Sequence, residues 1–100
     1  MIARVFELER LHAQLQLWNA EMKHLGAKLD DSPDEAGRPG HAALRAELET
    51  LRQLWAEAAL ALYRLESADD AEWRILQERA ELDLRRLGAA FEQSRAHFGE

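Results

Sequence analysis

The stretch that decides the fold runs from residue 44 to residue 65 and reads LRAELETLRQLWAEAALALYRL. Mostly apolar residues recur here at alternating intervals of three and four residues, and the series begins at His41, three residues before Leu44. Its members are His41, Leu44, Leu48, Leu51, Trp55, Ala58, Leu62 and Leu65. This heptad spacing keeps one stripe of an α-helix turned towards a partner helix. The stretch therefore predicts a long helix with one buried seam.

Two further segments carry seams of the same kind. The first comprises Leu8, Leu11, Leu15, Trp18, Met22, Leu25 and Leu29. The third, with one additional interval of four, comprises Trp73, Leu76, Ala80, Leu84, Leu87, Phe91, Ser94 and Phe98. Ile75 and Leu82 are predicted to widen the third stripe, as suits a helix packed against two neighbours. All three tryptophans lie on seams, which predicts that they pack in the core.

The composition agrees with helices and excludes several classes of protein. Leucine and alanine are abundant, whereas valine occurs once and isoleucine twice, so the residues that favour strands are scarce. The absence of cysteine excludes disulfide scaffolds, iron–sulfur clusters and thiolate zinc sites. A net charge of −6 argues against nucleic acid as the main partner.

Breaks in the helical pattern divide the chain into three segments. A loop over 30–40 contains two prolines and two glycines, and the polar stretch 67–70 is a weaker break at which Ser67 or Asp69 could cap a helix. We therefore expect one domain over 1–100, with helices at about 2–29, 41–66 and 70–98. The predicted fold is all-α, an antiparallel up-down-up three-helix bundle of coiled-coil type. A single helix running through 67–70 is the alternative.

The chain lacks the patterns that mark enzymes and membrane proteins. It has no glycine-rich phosphate loop, no nucleophile elbow and no cysteine, so we expect no enzymatic activity, no catalytic residues and no cofactor. Charged residues interrupt every apolar run, which predicts no stable membrane insertion and no secretory signal. The expected location is the cytoplasm.

Two Glu-x-x-His matches on the first helix are the candidate metal ligands. Glu9 with His12 and Glu21 with His24 each place a carboxylate and an imidazole within one helical turn. Di-iron carboxylate bundles use this ligand pair twice. Both matches lie on one helix, so they can face each other only across an oligomer interface.

Four leucines lie off the seams and are the candidate interface residues. Leu17, Leu54, Leu60 and Leu82 form either a second row of the core or an exposed strip for a protein partner. On the third helix, Arg74 and Glu78, and likewise Arg79 and Asp83, are four residues apart. They are predicted to pair along a solvated face.

Several stretches resemble small bacterial coiled-coil proteins that are sometimes described as stress-response proteins and have no established molecular function. The likeness rests on Leu17-Trp18-Asn19-Ala20-Glu21, on the heptads of 44–65, and on Asp69-Asp70-Ala71-Glu72-Trp73 with its continuation to Phe98. It covers most of residues 8–98. The resemblance implies a helical coiled-coil protein and provides no catalytic residues to assign.

These observations favour one function and leave an alternative from another class. The first hypothesis is a non-enzymatic interaction or structural protein, associated with stress, that presents a helical face to another protein or to its own copy as a homodimer. The alternative is a small metal-binding or ligand-binding bundle that uses the Glu-x-x-His pairs across an oligomer interface.

Overall fold

The structure, a computed structural model, describes residues 2–30 and 39–98, and the side chains of 4–30 and 42–98. Within these ranges the chain forms three α-helices: α1 (Ile2–Asp30), α2 (Pro39–Glu66) and α3 (Trp73–His97). They make a rod that measures 53 × 18 × 18 Å. Residues 31–38 of the predicted loop and the side chain of His41 lie outside the described residues.

The directions of the helices follow from the contacts between them. His12, near the start of α1, pairs with Glu66 at the end of α2. At the other end of the rod, Oδ1 of Asp30 on α1 lies 3.9 Å from a guanidinium nitrogen of Arg45, near the start of α2. These two contacts show that α1 and α2 are antiparallel.

The third helix runs in the same direction as the first. Arg10 of α1 donates to Glu81 of α3 at 2.8 Å, and further along both helices Glu21 lies 3.6 Å from Arg95. The order is therefore up-down-up. The predicted all-α, antiparallel three-helix bundle is confirmed.

A short turn separates α2 from α3, so the alternative of one continuous helix is wrong. The Asp69 carboxylate accepts the backbone N–H of Glu72 at 2.9 Å, and the Asp69 carbonyl accepts that of Trp73 at 3.0 Å. Asp69 thus stabilises the turn that leads into α3. The N-cap of α3 is Glu72, which makes no side-chain capping hydrogen bond, so the prediction that Ser67 or Asp69 caps this helix is wrong. The regular helix begins at Trp73, three residues later than predicted, because residues 70–72 form this turn.

The heptad seams of the three helices form the core. Among the side chains that the structure describes, fifteen apolar ones are buried, and all but Ala61 lie on the predicted seams. The buried set is Leu11, Leu15, Met22, Leu25, Leu29, Leu48, Leu51, Ala58, Ala61, Leu62, Leu65, Ala80, Leu84, Leu87 and Phe91. At about 25 cal/mol for each Å² of apolar surface removed from water, this burial is the main force that holds the helices together.

The tryptophans pack against the core, as predicted, and two of them make specific contacts. The Trp18 ring stacks on Phe91 with centroids 4.8 Å apart. A Cβ atom on Gly88 would lie 3.3 Å from the Trp18 ring, so glycine leaves the indole the space that it occupies. The Trp55 indole N–H donates to the Leu15 carbonyl at 2.8 Å, which satisfies its polar atom between α1 and α2.

The prediction that Ile75 and Leu82 widen the core stripe of α3 is wrong. Ile75 is 71% exposed and Leu82 is 37% exposed. Small buried residues on the facing sides of the two helices, Ala58, Ala61 and Ala80, let α2 and α3 pack closely along their central stripes. The next row of side chains is therefore left on the surface.

Candidate interaction surfaces

The residues of the two Glu-x-x-His matches lie on different sides of α1. Glu9 is exposed, and His12 is turned towards α2, where it pairs with Glu66. Glu21 is turned towards α3, where it lies 3.6 Å from Arg95, and His24 is exposed. The structure does not bring these four side chains together in one chain.

Among the side chains that the structure describes, no group of three or more histidine and carboxylate residues is placed to hold a metal ion. The metal-binding alternative would need ligands from a second chain. His12 and Glu21 would also have to leave the partners that they have within the bundle.

The four candidate interface leucines fall into two groups. Leu54 is half-buried and packs against the core. Leu17 is 67% exposed, Leu60 is 49% exposed and Leu82 is 37% exposed. Leu60 and Leu82 lie on the same groove, whereas Leu17 lies on the other side of the bundle at the edge of a groove between α1 and α3.

The groove that holds Leu60 and Leu82 follows the line between α2 and α3. It encloses about 810 Å³, and Ile75 also lines it. A depression of about 530 Å³ continues it towards the α2–α3 turn, where Ile75 meets Tyr63. We call the four exposed apolar side chains that line the groove and this depression the α2–α3 strip: Leu60, Tyr63, Ile75 and Leu82.

Charged residues of both signs border the α2–α3 strip. The three acidic and three basic side chains that line the groove are Glu57, Glu78, Asp83, Arg64, Arg79 and Arg86. Their formal charges cancel, whereas the whole chain carries a net charge of −6. The groove is therefore a charge-balanced region on an acidic protein.

Asp83 lies at the floor of this groove and is buried. Its carboxylate is 3.4 Å from Arg79 and 4.0 Å from Arg86, one helical turn to either side. The predicted Arg79–Asp83 pair is confirmed, but Asp83 lies under the arginine side chains rather than on a solvated face. The pairing compensates for taking the carboxylate out of water.

Two members of the strip were not predicted as interface residues: Ile75 was assigned to the core stripe, and Tyr63 was not singled out. Tyr63 follows Leu60 by three residues, and Ile75 and Leu82 are seven residues apart on α3. This spacing is a second heptad pattern beside each core seam. A search for apolar positions three, four or seven residues apart outside the seams would have found it.

A network of charges connects α1 to α3 on another side of the bundle. Arg10 pairs with Glu7 one turn earlier on α1 and donates to Glu81 on α3 at 2.8 Å. The hydrogen bond from Arg10 is the main reason that the pKa of Glu7 falls from 4.5 to about 2, although burial opposes the change. Glu7 therefore stays ionised in moderately acidic solution.

Because its pKa is lower in the folded chain, the stabilising effect of Glu7 is complete above about pH 4.5 and is lost as the pH falls towards 2. We expect Glu7→Gln to lower the melting temperature near neutral pH, and the gap from the wild type to narrow between about pH 5 and 2. Thermal melts of both proteins at several pH values across this range measure the difference in melting temperature. Glu9→Gln, which changes an exposed glutamate of the same helix, is the control. A gap that stays constant down to pH 2 would contradict the assignment.

Comparison of the chain with known protein families, with curated proteins and with solved structures found no match. The resemblance to small bacterial coiled-coil proteins therefore stays a prediction. None of the helices in the described ranges is long and apolar enough to cross a membrane.

Proposed function

We propose that this protein is a non-enzymatic interaction protein that binds an amphipathic helix of another protein in its α2–α3 groove. The observation that carries the proposal is the α2–α3 strip, in which Leu60, Tyr63, Ile75 and Leu82 remain exposed along one groove after the core has formed. A continuous apolar surface of this kind, bordered by polar residues, is typical of a binding site for a helix.

The size of the groove favours a single helix as the occupant. The lining residues extend from Glu72, just before α3, to Arg86 on α3, which corresponds to roughly 20 Å at about 1.5 Å per residue. Because the rod is 18 Å wide, a face of this length has an area on the order of 400 Å². A stable globular partner buries about 800 Å² on each side. A helix of about four turns fits the smaller area.

The charges around the groove indicate what the polar face of that helix contains. The balanced set of glutamates and arginines disfavours a strongly basic or strongly acidic segment. It favours a helix with charges of both signs beside its apolar stripe, as in Glu/Arg-rich heptads. Such a helix would place opposite charges next to Arg64 and Glu57 on the rim.

The biological role that we propose is that of an adaptor or scaffold. The lack of catalytic motifs in the sequence and the resemblance to bacterial stress-associated coiled-coil proteins support an adaptor or scaffold that acts in the cytoplasm under stress. In that role the bundle would hold a helical segment of its partner and would carry out no chemistry.

The experiment compares two double variants of the full chain. Leu60→Asp with Ile75→Asp places two charges in the strip, whereas Ala46→Asp with Ala96→Asp places them on exposed positions at the other end of α2 and α3. All four sites are exposed, so we expect both variants to fold with little change in stability. Tagged copies are used for capture from source cells, with and without heat or salt stress. The helical segment of any stoichiometric partner is then titrated as a synthetic peptide.

We expect the wild type and the control variant to bind the peptide equally, and the strip variant to bind at least tenfold more weakly, because aspartate would be buried against an apolar helix. Equal binding by the strip and control variants would refute the proposed groove. Recovery of no stoichiometric partner by the wild type in either condition would refute the proposed function.

A further inference from the structure

The α2 edge of the groove carries one acidic and one basic side chain that form no ion pair among the described residues. They are Glu57 and Arg64, and both are exposed and line the groove. The other positions that continue this edge of α2 at heptad intervals are uncharged: Thr50, Gln53 and Ser67. The α2 edge therefore offers one unpaired anion and one unpaired cation to a helix that lies in the groove.

The charged side chains on the α3 edge are mostly paired with one another. Their charged atoms are between 3.4 and 4.0 Å apart in three pairs: Arg79–Asp83, Arg86–Asp83 and Arg74–Glu78. Glu72, just before α3, lines the turn end of the groove and forms no ion pair within the described ranges. Apart from this glutamate, the unpaired charges that a partner helix meets are those of Glu57 and Arg64.

The spacing of Glu57 and Arg64 defines what such a helix has to carry. They are seven residues apart, so they lie on one side of α2 and are separated by roughly 10 Å along its axis. A second helix lying along the groove covers the same distance with seven of its own residues. It can meet both charges at once with an acidic residue beside Arg64 and a basic residue seven positions away beside Glu57.

The two ends of the groove differ in charge. Around the turn, residues 64–78 contain five carboxylates and two arginines, which gives a formal charge of −3. Residues 2–12 of α1 lie at the same end of the rod and add two glutamates and two arginines, so they do not change this charge. The rest of the groove is lined by equal numbers of acidic and basic side chains: Glu57, Asp83, Arg79 and Arg86. Because the N-terminus of a helix carries about half a positive charge, it is stabilised at the turn end.

We propose that the groove fixes the direction of its partner: the helix binds antiparallel to α2, with its N-terminus at the α2–α3 turn, an acidic residue beside Arg64 and a basic residue seven positions later beside Glu57. This inference rests on the proposed function, because it assigns the direction and the charges of the helix that the groove holds. The α2–α3 strip provides the apolar contact, and Glu57 and Arg64 select among amphipathic helices.

The same charges disfavour a helix that runs the other way. Its C-terminal carbonyl groups would lie among the carboxylates of the turn, where their partial negative charge is repelled. Its basic residue would also have to precede the acidic one, and that order stabilises an isolated helix less than acid before base. A segment with two edge charges of the same sign would be repelled by either Glu57 or Arg64 in both directions.

Two synthetic helical peptides of about fifteen residues, each with leucines at heptad spacing, test the charges. The acid-first peptide carries a glutamate and, seven residues later, a lysine on one edge of the leucine stripe. The dibasic peptide carries lysine at both positions. Calorimetric titration into the full chain measures their affinities. We expect Arg64→Glu and Glu57→Lys each to bind the acid-first peptide about tenfold more weakly than the wild type, because each replaces an attraction with a repulsion.

A control and a compensating pair make this result specific. Arg52→Glu makes the same change at an exposed position of α2 outside the groove and should bind the acid-first peptide as the wild type does. The dibasic peptide should bind Arg64→Glu as tightly as the acid-first peptide binds the wild type, because the attraction is restored. Equal binding of the acid-first peptide by Arg64→Glu and Arg52→Glu, or no compensation by the dibasic peptide, would overturn the assignment of these charges.

Because the chain has no cysteine, single cysteines report the direction of the bound peptide. Ser67→Cys and Gln53→Cys place one thiol near each end of the groove, at exposed positions roughly 21 Å apart along α2. An acid-first peptide with an added N-terminal cysteine should form a disulfide with Ser67→Cys and not with Gln53→Cys, because the bridge needs Cα atoms within about 7 Å. The same peptide with a C-terminal cysteine should give the reverse. The opposite pattern would overturn the proposed direction.

The outcomes separate this inference from the proposed function. A captured partner that is lost from Leu60→Asp with Ile75→Asp, but binds Arg64→Glu as well as Arg52→Glu, would show that the groove holds a helix without selecting its charges. In that case only this inference is wrong. Binding of neither peptide by the wild type at about 1 mM would also overturn it, while capture of a partner in the groove would leave the function standing. Failure to capture any partner would refute the proposed function and this inference with it.

Discussion

We expect the substitution Leu51→Asp to unfold the protein. Leu51 is 1% exposed and lies in the middle of the α2 seam, within the central cluster of the core. The substitution removes a buried leucine side chain, which costs about 2–5 kcal/mol, and it also places an unpaired carboxylate in the apolar core. A domain of this size is stabilised by about 5–15 kcal/mol in total, so the loss approaches or exceeds the whole.

Circular dichroism during thermal unfolding measures this effect. We expect the variant either to lack a cooperative transition or to melt tens of degrees below the wild type, since 1 kcal/mol corresponds to about 4–8 °C for a domain of this size. Leu60→Asp is the matched control, because it is the same substitution on the same helix at a half-exposed site. A melting temperature unchanged by Leu51→Asp would show that the seam of α2 is not buried.

Phe91→Ala has the second largest expected effect. Phe91 is fully buried on α3, and its ring stacks on Trp18 of α1 at 4.8 Å. The truncation leaves a cavity and removes the stacked pair, which together cost about 3–5 kcal/mol. We expect the protein to remain folded at room temperature with a melting temperature lower by on the order of 15 °C.

Urea unfolding followed by tryptophan fluorescence measures the loss in Phe91→Ala. Phe6→Ala, which truncates a 65% exposed phenylalanine on α1, should change the free energy of unfolding by less than about 0.5 kcal/mol. If the two truncations cost the same, Phe91 is not the contact that joins α1 to α3. A loss confined to Phe91→Ala supports the packing of these two helices through the aromatic pair.

The fold could be predicted from the sequence because its main signal is local. Intervals of three and four residues place Leu11, Leu51 and Leu87 on their seams, and this spacing can be read without knowing the tertiary structure. The prolines and Asp69 mark the breaks between the helices. Three helices of similar length with short connections then leave few arrangements other than up-down-up.

The surfaces were harder to predict because they depend on how closely the helices approach. The sequence alone allowed Ile75 and Leu82 to belong to a wide core stripe, and only the packing on Ala58, Ala61 and Ala80 leaves them exposed. The sequence predicted that Asp83 lies on a solvated face of α3, but the close packing of α2 against α3 buries it. Neighbours from other helices decide both outcomes, and periodicity along one helix does not contain that information.

Site-specific photo-crosslinking tests the central claim, that the α2–α3 strip is the surface that binds a partner protein. A photoreactive phenylalanine analogue is placed in separate full-length chains at residues 60, 63, 75 and 82, and at the exposed control positions 46 and 96. After irradiation of stressed source cells, we predict a discrete adduct with one other protein from the strip positions and none from the controls. Equal labelling from all six positions, adducts of the chain with itself from the strip, or no adduct at all would contradict the account.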